Sequence, residues 1–205
     1  IGAGETAFAD IVVTPTTAAA VKLLVMRTAG TPIDPDATND WLELSLDGVG
    51  DAPASGRWVT AGNVDGAAGG EILTGAGQGE RPQVRVFTGR GADTGLRFNA
   101  FEPVFRGGVR LASCDIDNDG RDEIVTGQGP RGSAVKVFRV VGGTVVEVTG
   151  FLPFESDFVG GVYVACADLD GDNRDDVVVG AGPGRAPDVR TFAVSSVGAV
   201  AQATW

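Results

Sequence analysis

The stretch that decides the fold is GGVRLASCDIDNDGRDEIVTGQGPRGSAVKVF, which occupies residues 107–138. It recurs almost residue for residue at 160–192 as GGVYVACADLDGDNRDDVVVGAGPGRAPDVRTF. A looser copy, GRWVTAGNVDGAAGGEILTGAGQGERPQVRVF, occupies 56–87. Self-similarity at a fixed period of roughly 50 residues is typical of repeat architectures, so the chain is predicted to be a repeat protein.

Each copy contains several short segments with the character of β-strands. The runs DEIVTG, DDVVVG, VKVF and VRTF are rich in β-branched residues and have the length of strands. No segment shows the period of a helix. About four short strands per unit is typical of a β-propeller blade, so we predict an all-β fold: a β-propeller built of about four repeats of four-stranded blades. The apolar residues predicted for its core include Ile72, Ile124, Val178, Phe87, Phe138 and Phe192.

A fourth, partial copy opens the chain, because ADIVVTPTTAAAVKLLV at 9–25 matches the second half of the unit. We therefore predict one β-propeller-type domain over 1–205. It consists of a partial first blade with an insertion at 1–55 and three blades at 56–106, 107–159 and 160–205. The partial copy at 9–25 lacks the opening strand of the repeat. Three interpretations therefore remain: a compact four-bladed propeller, a piece of a larger propeller, or a subunit that a neighbouring subunit completes.

Acidic nine-residue loops lie between the first two strands of the later units. They read DIDNDGRDE at 115–123 and DLDGDNRDD at 168–176, with acids at positions 1, 3, 5 and 9. These acids bring several hard oxygens to one point, and the backbone carbonyl at position 7 can add another. Calcium takes six to eight oxygen ligands at about 2.3–2.6 Å, and magnesium fits such a cage less well. The sequence therefore predicts about two calcium sites.

The corresponding loop of the first unit departs from this pattern. It reads NVDGAAGGE at 63–71, with Asn at position 1 and Ala at position 5. We expect it to be empty or to bind metal weakly through the degenerate set Asn63, Asp65, Gly69 and Glu71.

The repeat, with its F-x-P-F, GGV and D-x-D-x-D motifs, resembles the FG-GAP or VCBS-type repeats of integrin-α-like β-propellers, and the resemblance covers nearly the whole chain. It implies a calcium-binding propeller on an extracellular or cell-surface protein, used for adhesion, ligand display or assembly. The ligands implied in the second unit are Asp115, Asp117, Asp119, the Arg121 carbonyl and Glu123. Those implied in the third unit are Asp168, Asp170, Asp172, the Arg174 carbonyl and Asp176.

Composition excludes several classes of function. The chain has 16 Lys and Arg against 27 Asp and Glu, so its net charge is −11, which disfavours nucleic acid or an anionic membrane surface as the partner. It has no histidine, which excludes histidine-based acid–base catalysis and histidine-ligated metals. Its apolar runs are too short for membrane insertion.

The two cysteines are offset by one position in the repeat register. Cys114 matches Ala167, and Cys166 matches Ser113. Because side chains alternate between the two faces of a strand, the offset points the thiols to opposite faces of their sheets. This favours two separate, mostly buried thiols over a disulfide.

Three functions from different classes fit the sequence. The leading hypothesis is a non-enzymatic, calcium-stabilised extracellular module that acts in adhesion or in surface or filament assembly, through a protein partner or through self-association. The second is a glycan-binding propeller. The third, least favoured, is a hydrolase on a propeller scaffold. The aromatic side chains that could bind a glycan are Trp41, Trp58, Tyr163 and Trp205.

Overall fold

The structure of the protein is a computed structural model that describes residues 9–17, 20–27, 41–45 and 56–204. Two compact units, 1–54 and 55–205, divide the chain. The first unit contains an antiparallel sheet of three strands in the order β1-β2-β3. Its strands are β1 (Ala9–Thr17), β2 (Ala20–Arg27) and β3 (Trp41–Ser45).

The second unit contains three four-stranded antiparallel sheets, each with its strands paired in chain order. The first consists of β4 (Trp58–Gly62), β5 (Glu71–Gly75), β6 (Gln83–Thr88) and β7 (Asp93–Asn99). The second consists of β8 (Val109–Cys114), β9 (Glu123–Gln128), β10 (Val135–Val141) and β11 (Thr144–Phe151). The third consists of β12 (Val162–Ala167), β13 (Asp176–Ala181), β14 (Val189–Ser195) and β15 (Gly198–Thr204).

These sheets are the blades that the repeat predicts. The described residues contain no helix, so the predicted all-β class with four-stranded blades is confirmed. The opening strand of each blade contacts that of the next, because β8 lies against both β4 and β12. Within the described residues, no helix is long and apolar enough to cross a membrane.

The middle blade is apolar on both faces because it packs between two other blades. On one face, Leu111 and Ile124 pack against the first blade in a cluster that includes Leu73. On the other face, Cys114 and Val125 pack against the third blade. In β10, Val137 joins the second of these clusters and Phe138 joins the first, as alternation along a regular strand requires. Stacking thus buries alternating residues of one strand on both sides.

The third blade has one face on which no further blade of the second unit packs in the described residues. Position 2 of the nine-residue loop is buried in the first two blades, but Leu169 in the third is 54 % exposed. Val189 is 38 % exposed, whereas Val84 and Val135 at the same repeat position are fully buried. The prediction that Val178 lies in the core is therefore wrong, since this side chain is only half-buried. The other five predicted core residues are buried.

The two cysteines form a disulfide between β8 and β12, with their Cα atoms 5.7 Å apart. The prediction of separate thiols is therefore wrong. The offset does point Cys114 and Cys166 to opposite faces of their own sheets. Stacked blades, however, meet through opposite faces, so the same offset brings the two sulfur atoms together between the second and third blades.

Candidate metal centres

Two left-handed residues shape each acidic loop of the later blades. In the loop at 115–123 these are Asn118 at position 4, with φ of 59°, and Gly120 at position 6, with φ of 83°. In the loop at 168–176 the order is reversed, with Gly171 at position 4 and Asn173 at position 6. Glycine and asparagine are the residues that adopt this conformation most readily. The two loops therefore have the same curled backbone despite the exchanged residues.

The carboxylate at position 1 stabilises this curled backbone by accepting hydrogen bonds from it. The carboxylate of Asp115 accepts hydrogen bonds from the Asp119 N–H at 3.1 Å and the Gly120 N–H at 2.9 Å. The carboxylate of Asp168 accepts them from the Gly171 N–H at 2.7 Å and the Asn173 N–H at 3.0 Å. These bonds fix the carboxylate of position 1 at the centre of the loop.

The loop at 115–123 brings together the carboxylates of Asp115, Asp117 and Glu123, whose oxygen atoms lie within 4.8 Å of one another. Asp119 lies outside this group, and its Oδ1 accepts a hydrogen bond from the Arg121 N–H at 2.9 Å. The structure therefore groups positions 1, 3 and 9 of the predicted set.

A cation from the same blade already contacts this cluster. The Nε–H of Arg139 donates to Glu123 Oε1 at 2.8 Å, and its Nη2 forms an ion pair with Asp117 Oδ2. Burial raises the pKa of the Glu123 carboxyl above its ordinary value, and the hydrogen bond from Arg139 partly offsets that rise. The other oxygen of Asp117, Oδ1, is buried and has no hydrogen-bond partner in the described residues. Arg139 follows Phe138 outside the acidic motif, so the motif gave no signal for it.

The loop at 168–176 groups a different subset, Asp168, Asp170 and Asp172, again within 4.8 Å. All three are exposed, and no arginine pairs with them in the described residues. Asp176 lies outside this group. The position that corresponds to Arg139 is Ala193 in this blade.

The acid at position 9 has a structural role in all three blades. Glu71, Glu123 and Asp176 are buried at the start of the second strand. Each accepts a hydrogen bond from the backbone N–H at position 2 of its own loop, at 2.9, 3.2 and 3.2 Å respectively. This bond ties the two ends of the loop together, so an acid is needed there whether or not a metal is bound.

The degenerate loop at 63–71 has a different backbone. Its left-handed residues are Gly66 at position 4 and Gly69 at position 7, whereas Ala68 replaces the left-handed residue of position 6. The Oδ1 atoms of Asn63 and Asp65 accept hydrogen bonds from N–H groups of their own loop, at 2.9 and 2.7 Å. This loop has only two acids, Asp65 and Glu71, so it cannot form a cluster of three carboxylates like those of the later loops.

Arginine at position 7 reaches backward to the preceding blade. Arg121 lines a cavity of about 590 Å³ together with Asp65 and Glu71 of the first blade. Arg174 lines a cavity of about 530 Å³ together with Asp117 and Arg139 of the second blade. The resemblance assigns these two residues a role through their carbonyls. The structure adds that their side chains lie beside the loop of the blade before.

Aspartate at position 8 links successive loops, a role that the sequence reasoning missed. The Asn63 N–H donates to Asp122 Oδ2 at 3.0 Å, and the Asp122 N–H donates to the Asn63 carbonyl at 2.7 Å. Asp115 and Asp175 repeat this pair at 3.1 and 2.9 Å. Burial raises the pKa of Asp175, and the nearby carboxylates of other aspartates raise it further. The signal was present in the sequence, since both later loops have Asp at this position.

The donor set of the later loops fits calcium. It consists of carboxylate oxygens only, clustered on a curled loop, with a buried orphan oxygen at Asp117. Hard oxygen donors in this number suit Ca²⁺, which would supply the positive charge that the crowded carboxylates lack.

A second cluster lies at the opposite end of the opening strands. Trp58, Arg110 and Tyr163 occupy the same repeat position, five residues before position 1 of each loop. The Arg110 Cζ lies 3.7 Å from the Tyr163 ring centroid and 5.4 Å from that of Trp58. The side chain of Trp41 and the whole of Trp205 lie outside the described residues.

Three stacked, four-stranded antiparallel sheets with equivalent inner strands define a β-propeller-like repeat protein. Residues 115–179 match the family model described as FG-GAP-like repeat. The matched part includes both acidic loops, so the predicted resemblance to FG-GAP repeats is confirmed.

Solved structures support the fold. The rhamnogalacturonan lyase YesW is 15 % identical with a TM-score of 0.50, and 86 % of this chain aligns with 40 % of that one. The exotype rhamnogalacturonan lyase YesX is 13 % identical with a TM-score of 0.53, and 92 % of this chain aligns with 41 % of that one. The chain thus spans about two fifths of the length of each lyase, and identity this low shows the fold alone. No curated protein sequence matches the chain.

Proposed function

We propose that the protein is a non-enzymatic, calcium-stabilised extracellular repeat module that acts in adhesion or in surface or filament assembly through protein–protein contacts. The observation that carries the proposal is the open face of the third blade. Positions that stacking buries in the first two blades are partly exposed there, as at Leu169 and Val189. A face built for stacking is suited to a further blade, which we assign to a second copy of the protein.

The glycines of the second strands support this assignment. A Cβ on Gly75 would lie 2.3 Å from the Val109 carbonyl oxygen, and one on Gly127 would lie 2.9 Å from that of Val162. The third glycine of the series, Gly180, has only the Cβ of Tyr163 near it, at 3.8 Å. The third blade therefore keeps the residue that allows close stacking, although no blade stacks on it there in the described residues of the second unit.

Size measurement by light scattering tests the assembly. In calcium we expect the wild-type protein to associate, and Gly180→Leu to shift it towards the monomer while the fold is kept, because the leucine has room in the single chain. Gly56→Leu is the matched control, since a Cβ at Gly56 meets nothing within 4 Å and this glycine lies outside the third blade. A strictly monomeric wild-type protein in calcium would contradict the proposal.

Calcium and the disulfide support the extracellular part. Disulfides persist in oxidising compartments, and the pair Cys114–Cys166 fits secretion or display at the cell surface. Calcium at the two acidic loops would act by stabilising the folded blades, because an ion that binds only the folded chain adds to its stability. The test is the melting temperature with calcium and with chelator, and an unchanged melting temperature would contradict the metal assignment.

Saccharide binding is a second candidate. The rings of Trp58 and Tyr163 are 42 % and 47 % exposed and meet at 6.2 Å between centroids. Exposed aromatic rings offer apolar faces to sugar rings, and both similar structures are rhamnogalacturonan lyases by name. A glycan array with the wild-type protein and Trp58→Ala tests it, and an array without a signal would exclude this candidate. The enzymatic alternative stays the least favoured, since the acidic clusters serve as calcium ligands in the proposal.

A further inference from the structure

We propose that Arg110, with Trp58 and Tyr163, forms a binding site for a saccharide that carries a carboxylate, that is, a uronate sugar. The inference deepens the saccharide-binding candidate and rests on it. Arg110 lies in the middle blade, and the two aromatic residues come from the blades on either side. One repeat position in three consecutive blades thus converges on one point.

Two nitrogen atoms of the Arg110 guanidinium have no hydrogen-bond partner in the described residues. The residue is only 6 % exposed, and its Nε and Nη1 atoms are buried without a hydrogen-bond partner in the described residues. A buried donor left unpaired costs about 1–3 kcal/mol, more when it is charged. Burial also lowers the pKa of the guanidinium below its ordinary value, and the neighbouring Tyr163 partly offsets this. Buried arginines are normally paired with an acid, so this one is available for an anionic ligand.

The cavity beside Arg110 is lined by positively charged residues, although the protein as a whole is negatively charged. It has a volume of about 300 Å³ and lies between the first and second blades. Its lining includes Arg57, Trp58, Gln78 and Arg110, and no acidic residue lines it. Arg57 is already paired with Glu80 at 2.9 Å, which leaves Arg110 as the lining cation without a counter-ion in the described residues. In a chain of net charge −11, this uncompensated positive charge favours a negative ligand group.

The aromatic rings distinguish a sugar from a simple anion. The Tyr163 ring lies against the guanidinium. The Trp58 ring lies almost perpendicular to the Tyr163 ring, at an interplanar angle of 76°. Both aromatic residues have nearly half of their surface exposed to solvent. A pyranose can place its C–H face on the open part of a ring while its carboxylate pairs with the guanidinium. Gln78 on the cavity wall adds an amide for the sugar hydroxyls.

Titration calorimetry with a galacturonate trimer tests the site, with a neutral galactose trimer and acetate as the comparison ligands at one fixed calcium concentration. We expect the galacturonate trimer to bind and both comparison ligands to bind at least about tenfold more weakly, because a charge-assisted hydrogen bond is worth that factor or more. Binding of the neutral trimer with equal affinity would overturn the carboxylate assignment and leave saccharide binding intact. No binding of either trimer would overturn both, and equal binding of acetate would overturn the sugar assignment.

Two variants place the binding at Arg110. Arg110→Gln should weaken the galacturonate trimer about 10- to 100-fold, and Arg110→Lys, which keeps the charge but not the planar fork, should weaken it less. Arg97→Gln is the control, since it makes the same charge change on the exposed strand β7. If Arg110→Gln does not fold, Arg110→Lys with Trp58→Ala decides. Unchanged affinity in a folded Arg110 variant would overturn the proposal.

Discussion

The two acidic loops at 115–123 and 168–176 have the same length, the same acidic positions and the same left-handed turns, but they lie in different surroundings. Arg139 pairs with two acids of the first loop, and Arg174 of the next blade lies beside it. No arginine pairs with the three clustered acids of the second loop in the described residues. The motif therefore supplies the candidate ligands, and we expect the neighbouring cations to affect how strongly a metal would bind. We expect the loop at 168–176 to bind calcium more tightly.

The largest expected effect concerns the disulfide, which lies at the start of both loops. Replacing it by Cys114→Ala with Cys166→Ala should lower the free energy of unfolding by about 4 kcal/mol, because the bond closes a chain segment of 52 residues in the unfolded state. Chemical denaturation in calcium measures this. If the two loops still differ in calcium affinity in this variant, the difference belongs to the loops and not to the link between the blades. An unchanged midpoint would contradict a structural role for the bond.

Calcium should stabilise the protein mainly through the loop at 168–176. At a hundredfold excess over Kd, one bound ion adds about 2.7 kcal/mol to the stability. Asp170→Asn should therefore remove a larger part of the calcium-dependent rise in melting temperature than the matched change Asp117→Asn. Thermal melts of both variants with calcium and with chelator give the comparison. A larger loss in Asp117→Asn would reverse the proposed order of the two loops.

Removal of the competing cation should make the loops more alike. Arg139→Gln frees Asp117 and Glu123, and we expect the calcium affinity of the loop at 115–123 to rise about tenfold, or ~1.4 kcal/mol. The loop at 168–176 should not change. Calorimetry with calcium alone resolves the two sites, and Arg97→Gln again serves as the charge control. Equal affinities before and after the change would show that Arg139 does not compete.

The smallest expected effect concerns Asp175, which ties only the first of the two loops to the following blade. Asp175→Ala removes the acceptor of the Asp115 N–H and should cost about 1 kcal/mol of stability. Asp175→Asn keeps an acceptor oxygen and removes the charge next to other carboxylates, so it should cost less. Denaturation midpoints of the two variants measure the difference. An equal loss in the two variants would show that the charge of Asp175, and not its acceptor oxygen, stabilises this contact between the blades.

Local features could be read from the sequence, and contacts between blades could not. The repeat predicted the blades, and the D-x-D-x-D motif predicted clustered acids, because both depend on residues that are near in sequence. Within one blade, Arg139 was missed because it contacts Glu123 from the neighbouring strand, outside the acidic motif. Val178 is only half-buried because, in the described residues of its unit, the third blade lacks the following blade that buries the equivalent residues Leu73 and Val125. Cys114 and Cys166 were predicted to be separate thiols because the alternation of side chains was considered within single sheets. In stacked sheets, side chains from opposite faces of neighbouring blades meet.

The disulfide between the blades also affects how the protein responds to a pulling force. A module used for adhesion is stretched from its ends, and its blades would unravel one after another. The covalent bond between Cys114 and Cys166 excludes 52 residues from extension. At about 3.5 Å per extended residue, this withholds a contour length of about 180 Å until the bond is reduced. Three of the four strands of the second blade, β9 to β11, and the acidic loop at 115–123 lie within that segment, so the bond would shield them from a force applied to the ends of the chain.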